Sequence, residues 1–130
     1  MKLNFQYPPK ELLPNKKASW QTQMMITKQV RRDSGLTGLA QSWNPDKIGT
    51  LSHCSLVITW YPSDKRRIAD FDSQLRASKP ILDSLVDAGF ILDDSPAVIK
   101  SVTLRYGEPD KQNPRTEVEI KGEKYEGATI

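Results

Sequence analysis

The chain has one cysteine, Cys54, and one histidine, His53, in 130 residues. A lone thiol cannot close an internal disulfide, and with a lone imidazole it cannot complete a structural zinc site. Long apolar runs are missing as well: none approaches the roughly 20 residues of a membrane span. The opening Met1-Lys2-Leu3-Asn4-Phe5-Gln6 has no apolar stretch of the signal-peptide kind. The expectation is a cytoplasmic protein with no membrane partner. No glycine-rich phosphate loop occurs, and a chain of this size leaves little room for a doubly wound sheet, which argues against a nucleotide cofactor. Internal repeats and low-complexity tracts are absent too.

With 37% hydrophobic and 27% charged residues, the chain has enough apolar mass for one core and does not read as disordered. The whole of 1–130 reads as a single domain, with about 122–130 as a frayed tail. The net charge of +3 hides an asymmetry. Residues 1–79 hold thirteen Lys/Arg against six Asp/Glu, or +7, whereas 80–130 hold six against ten, or −4. Basic runs Lys16-Lys17, Arg31-Arg32 and Lys65-Arg66-Arg67 are followed by Asp70, Asp72, Asp83, Asp87, Asp93 and Asp94. That order suits a polyanion held near carboxylates that bind a cation; a solvated charged surface is the plain alternative.

Residues 2–7 alternate as a short strand that Pro8-Pro9 stops. From about Ser19 to Arg32 the pattern is helical, with Trp20 expected in the core or an interface, and Gly35, Gly38 and Asn44-Pro45-Asp46 blur the helix end before a loop at 43–50. Ser55–Tyr61 is the strongest strand, β-branched or aromatic almost throughout, and is expected in the sheet interior. A second helix is expected from about Ser73 to Ala88, capped by Gly89, with a kink or late start at Pro80. Residues 97–106 and 115–121 read as two strands joined through 107–114 as an antiparallel hairpin. The fold class is α+β: a small mixed sheet of about four strands on two main helices.

Asp70 and Asp72 are two apart, so on extended backbone their carboxylates share one face. Such a pair is a minimal oxygen anchor for Mg²⁺ or Mn²⁺ beside a phosphate; the other reading makes Asp72 a helix cap. Asp93-Asp94 either completes this site or forms an ordinary turn. Lys79 falls on a stripe with Leu75, Leu82 and Val86, where it either snorkels or reaches the carboxylates and a scissile phosphate. Lys65, Arg66 and Arg67 put cationic forks beside the acidic pair. Asn15, Lys16 and Lys17 add phosphate donors near the N-terminus, and His53 and Cys54 read as structural. A phosphatase or glycosyltransferase built on Asp-x-Asp is disfavoured by size and by the missing phosphate loop.

The run Asp64-Lys65-Arg66-Arg67-Ile68-Ala69-Asp70-Phe71-Asp72, then Lys79-Pro80-Ile81-Leu82-Asp83-Ser84-Leu85 and Ala88-Gly89-Phe90-Ile91-Leu92-Asp93-Asp94, resembles the RusA family of Holliday-junction resolvases. Pro8-Pro9 and Leu13–Trp20 resemble its phage and prophage members, so the similarity covers most of the chain in patches. The resemblance implies a small homodimeric endonuclease of the bacterial or phage-infected cytoplasm, acting in DNA recombination and repair. Such enzymes use Mg²⁺ or Mn²⁺ to cut four-way junctions with paired symmetric nicks. It further implies metal-binding carboxylates at Asp70, Asp72 and Asp94 and an essential lysine at Lys79; beside it, Asn15 and the basic residues Lys16, Lys17, Lys65, Arg66, Arg67 and Arg76 are the expected DNA contacts. Two departures stand out: Ser73 replaces the family's usual Asn, and three extra residues lie between Asp72 and Lys79. Counting forward from Asp72 puts Arg76 in the lysine's place, whereas counting back from Leu82-Asp83-Ser84-Leu85 puts Lys79 there, the register favoured here. The departures also support a second expectation, a junction-binding dimer that does not cleave.

Overall fold

The β-branched and aromatic run at 55–61 forms the middle of a longer strand, β2 (Leu51–Tyr61), in a computed structural model that describes residues 1–13, 19–42, 50–67 and 69–124. Around it lie β1 (Lys2–Gln6), α1 (Trp20–Ser42), α2 (Phe71–Asp87), β3 (Ile99–Tyr106) and β4 (Arg115–Lys124). The four strands make one mixed sheet in the order β1-β4-β2-β3. Alternation gives it a core face, on which Leu3, Phe5, Leu56, Ile58, Trp60, Val118 and Ile120 are buried together with Val30, Ala77, Ile81 and Leu85 from the helices. The class is α+β, as the composition and periodicity imply.

One pairing differs from the sequence reading. β3 and β4 do not form a hairpin: β2 lies between them, parallel to β3 and antiparallel to β4. The connection 107–114 instead crosses the end of β2, where the Gly107 amide donates to the Trp60 carbonyl at 2.9 Å and the Asp110 amide to that of Pro62 at 2.8 Å. A Cβ on Gly107 would lie 2.2 Å from the Tyr61 ring, so the crossing needs glycine there. Residues 122–124, expected to fray, continue β4 against Cys54, His53 and Leu51; 125–130 lie outside the described residues.

The helices also run beyond their expected limits. Ser19 starts α1, its hydroxyl accepting the Thr22 amide at 3.1 Å. The helix continues through Gly35 and Gly38 to Ser42. An added Cβ at Gly38 would stand 3.1 Å from the Phe90 ring, so small size lets the helix sit close to the core and offsets the roughly 1 kcal/mol propensity cost of a glycine. Trp20, expected in the core or an interface, is 69% exposed. Helix α2 starts at Phe71 rather than late and passes through Pro80, which removes only the amide that would meet the Arg76 carbonyl. It ends as expected at Gly89 (φ 82°): the Gly89 amide donates to Val86 O and the Phe90 amide to Leu85 O. Among the described residues no helix is long and apolar enough to cross a membrane.

Candidate functional site

Asp70 does not lie on extended sheet backbone beside Asp72. It is the N-cap of α2, its Oδ1 accepting the Ser73 amide at 2.7 Å, while Asp72 sits in the first helical turn. The cap is therefore Asp70 and not Asp72. Hydrogen bonds from Ser73 hold the Asp70 carboxyl below the ordinary carboxylate range. Both acids lie where the helix macrodipole favours negative charge. Asp72 is well exposed and pairs with Arg76 Nη2 at 3.2 Å, one turn along.

The buried face of α2 is built by Gln74, Ala77, Ser78, Ile81 and Leu85. The stripe through Leu75 and Lys79 is not that face, since Leu75 is 43% exposed and Lys79 points to solvent. Asp72, Arg76, Lys79 and Asp83 instead follow i, i+4, i+7, i+11 on one polar face. There the Lys79 ammonium contacts Asp94 Oδ2, from the loop beyond α2, and Asp83 Oδ1 at 3.0 Å. Of the expected carboxylates it reaches Asp94, together with Asp83, whereas Asp72 pairs with Arg76 and Asp70 accepts from Ser73. The bond to Asp94 chiefly, and that to Asp83, raise the Lys79 pKa, and Lys79 in turn holds Asp94 low. Asp93 takes a turn role, its Oδ1 accepting the Asp94 amide at 2.9 Å.

Arg76 and Lys79 also line a cavity of about 370 Å³ between the two helices and the 3-10 turn at Lys10–Leu12. Leu12, Leu13, Ala77 and Pro80 give it apolar walls, and Gln23, Thr27 and Ser73 give it polar atoms. Two cations at a concave, partly apolar surface are the groups an anionic ligand with an apolar portion would meet.

Lys65–Arg67 forms a short 3-10 turn leading into α2, with the Arg66 side chain 93% exposed and its amide bonded to Asp64 Oδ1 at 2.8 Å. The Arg67 side chain and all of Asn15, Lys16 and Lys17 lie outside the described residues. Two contributors were not singled out from sequence. Tyr106 accepts the Ala69 amide on its hydroxyl at 3.1 Å and so fixes the approach to Asp70. Asp83 was visible only as one acid among six, although its i+4 spacing from Lys79 is the helical signal for a pair. Cys54 is buried, which pushes its thiol pKa up, consistent with a packing role.

Carboxylate oxygens are the hard donors that Mg²⁺ and Mn²⁺ take. Asp70, Asp72 and Asp94 nevertheless do not make one coordination sphere: among the described residues no group of three or more His, Cys, Asp or Glu could hold a metal. Asp70 serves a cap, Asp72 an arginine and Asp94 a lysine. As arranged here, the residues do not fit a three-carboxylate metal centre.

No family model matches the chain, and no curated protein matches it.

Proposed function

We propose that the chain is a structure-selective endodeoxyribonuclease that acts on four-way DNA junctions in the cytoplasm, as part of recombination and repair. A four-way junction is two-fold symmetric, so paired symmetric nicks call for a C2 homodimer with one site per subunit. The observation that carries this reading is the meeting of Lys79 with Asp94. The two lie fifteen positions apart, both are residues that the RusA-like pattern implies, and Lys79 lines a cavity shared with Arg76. Lys79, kept protonated by its two carboxylates, is the charge that meets the negative charge developing on a phosphodiester. Arg76 binds a phosphate oxygen beside it, and Lys65, Arg66, Arg67, Asn15, Lys16 and Lys17 hold the flanking backbone. Mg²⁺ or Mn²⁺ belongs to this reading as the cofactor that the resemblance implies; because the carboxylates are apart, no step is assigned to it.

The engagement of each of those carboxylates by a partner within the protein favours a second reading, a junction-binding dimer that does not cleave and serves as a phage accessory protein. One experiment separates the two. An immobile four-way junction and a duplex of matching arms are incubated with wild type and Asp72→Asn, with and without Mg²⁺ or Mn²⁺. Symmetric nicks that require both metal and Asp72 support the endonuclease. Tight junction binding without nicks in either metal supports the binding protein, and no preference for the junction over the duplex removes both.

A further inference from the structure

Asp83 touches two cations from two different helices. Its Oδ1 is 3.0 Å from Lys79 Nζ on α2, and its Oδ2 is 3.9 Å from an Arg31 Nη on α1. Arg31 is itself fixed by a fork on Asp87, with Nε to Oδ2 at 2.5 Å and Nη2 to Oδ1 at 2.8 Å. At 3.9 Å from Asp83, Arg31 adds its field but no hydrogen bond; the close contact is the one to Lys79, and because Asp83 lies one turn along the same helix the backbone spacing gives Lys79 a fixed partner. At 23% side-chain exposure it is less solvated than Asp94 at 35% or Asp87 at 46%, so its field is the least screened of the three. Asp94 differs in kind, because it belongs to the loop after α2, where its amide donates to Asp93 Oδ1, and no helix fixes its spacing from Lys79.

We infer that Asp83 is the positioning residue for Lys79, and that Asp94 is the partner Lys79 can release. This rests on the reading of Lys79 as the phosphate-facing cation and adds how that cation is held. When a phosphate or a cation draws Asp94 away, Asp83 keeps the ammonium at the cavity beside Arg76. Without Asp83, Lys79 follows the loop.

The test reads Lys79 directly, with no substrate. In isotope-labelled full-length protein the Lys79 ammonium signal, assigned by its loss in Lys79→Gln, is followed by NMR in Asp94→Asn, Asp83→Asn, Asp83→Glu and Asp87→Asn. The expected result is a slowly exchanging signal that survives in Asp94→Asn and Asp87→Asn, disappears in Asp83→Asn and returns in Asp83→Glu. Asp87→Asn loosens Arg31, whose contact with Asp83 is long, and leaves the Lys79 contacts to Asp83 and Asp94 in place, so it controls for the loss of a carboxylate on α2. Loss of the signal in Asp94→Asn, or its persistence in Asp83→Asn, overturns the inference. If the junction is cleaved, Asp83→Asn lowers kcat about 10- to 100-fold with KM nearly unchanged, and Asp83→Glu restores it. A protein that never cleaves leaves the NMR result standing, so the two failures are distinguishable.

Discussion

The indole Nε1 of Trp60 donates to the Ser78 hydroxyl at 3.0 Å, with both residues buried, and this bond ties the central strand β2 to α2. It also sets the rotation of α2: with Ser78 turned inward, the next residue, Lys79, is turned about 100° away and emerges at the surface. Trp60→Phe removes the donor and leaves space in the core, and an unfolding free energy lower by about 1–3 kcal/mol is expected in urea titration. Ser78→Ala leaves the indole N–H unpaired and is expected to cost a similar amount. A change of only a few tenths in both would mean that the bond does not set the register.

Asp70 combines a cap with a candidate catalytic role, and two substitutions separate them. Asp70→Asn keeps an amide oxygen for the Ser73 amide, so stability should barely change; if the proposed cleavage occurs and uses the Asp70 carboxylate, nicking is lost. Asp70→Ala removes the cap and should cost about 1 kcal/mol as well. Nicking by Asp70→Asn at the wild-type rate would leave Asp70 as a cap alone.

Glycines divide by what a Cβ would meet. At Gly122 it would come within 2.0 Å of the His53 carbonyl and 2.8 Å of Cys54. Gly122→Ala should therefore shift strands and cost at least about 1–3 kcal/mol. At Gly35, inside α1, the nearest contact is Ser84 Cβ at 4.0 Å, and Gly35→Ala should stabilise by about 0.5–1 kcal/mol. Thermal melts of the two variants should move in opposite directions.

The ion pairs give opposite signs at the two ends of the pH scale. Arg31 holds Asp87 below its ordinary 3.8, and Lys79 does the same for Asp94. A carboxyl lowered on folding contributes stability above the unfolded value, and loses it as pH falls through the folded one. Asp87→Asn should accordingly flatten the acid limb of the stability profile below pH 3.8. Lys79 is raised above 10.5, so its contribution is complete below that pH and is lost as pH rises through the folded value. Lys79→Gln should flatten the alkaline limb and, because Asp94 loses the cation that holds it low, part of the acid limb too. Equal acid limbs in wild type and Asp87→Asn would mean that the Arg31 fork is not formed in solution.

Arg76 is the cation whose DNA role is simplest to count. If it neutralises one phosphate, Arg76→Gln should weaken junction binding and reduce the slope of log affinity against log salt by about 1. An unchanged slope, measured by fluorescence anisotropy at several ionic strengths, would leave Arg76 as a partner of Asp72 only.

The sequence alone determined the local elements. Ser55–Tyr61 could hardly be anything but a strand, Gly89 could end a helix because it accepts a positive φ, and the count of four strands and two helices followed from such signals. Tertiary structure decided the neighbours. Alternation assigns each residue of β3 and β4 to a face but says nothing of which strand lies alongside, so their separation by β2 was settled by the loop crossing over Tyr61. Gly35 and Gly38 read as helix breakers, yet α1 runs through both; only at Gly38 does packing against Phe90 make small size an advantage. At the candidate site, spacing marked Asp70, Asp72, Lys79 and Asp94. The Asp70 cap is itself local, made with Ser73 three residues on, but only the fold brought Asp94 to Lys79, with Arg31 of α1 behind Asp83. Local propensity acts over a few residues, whereas these contacts join positions up to 56 apart and exist only once both helices are packed on one face of the sheet.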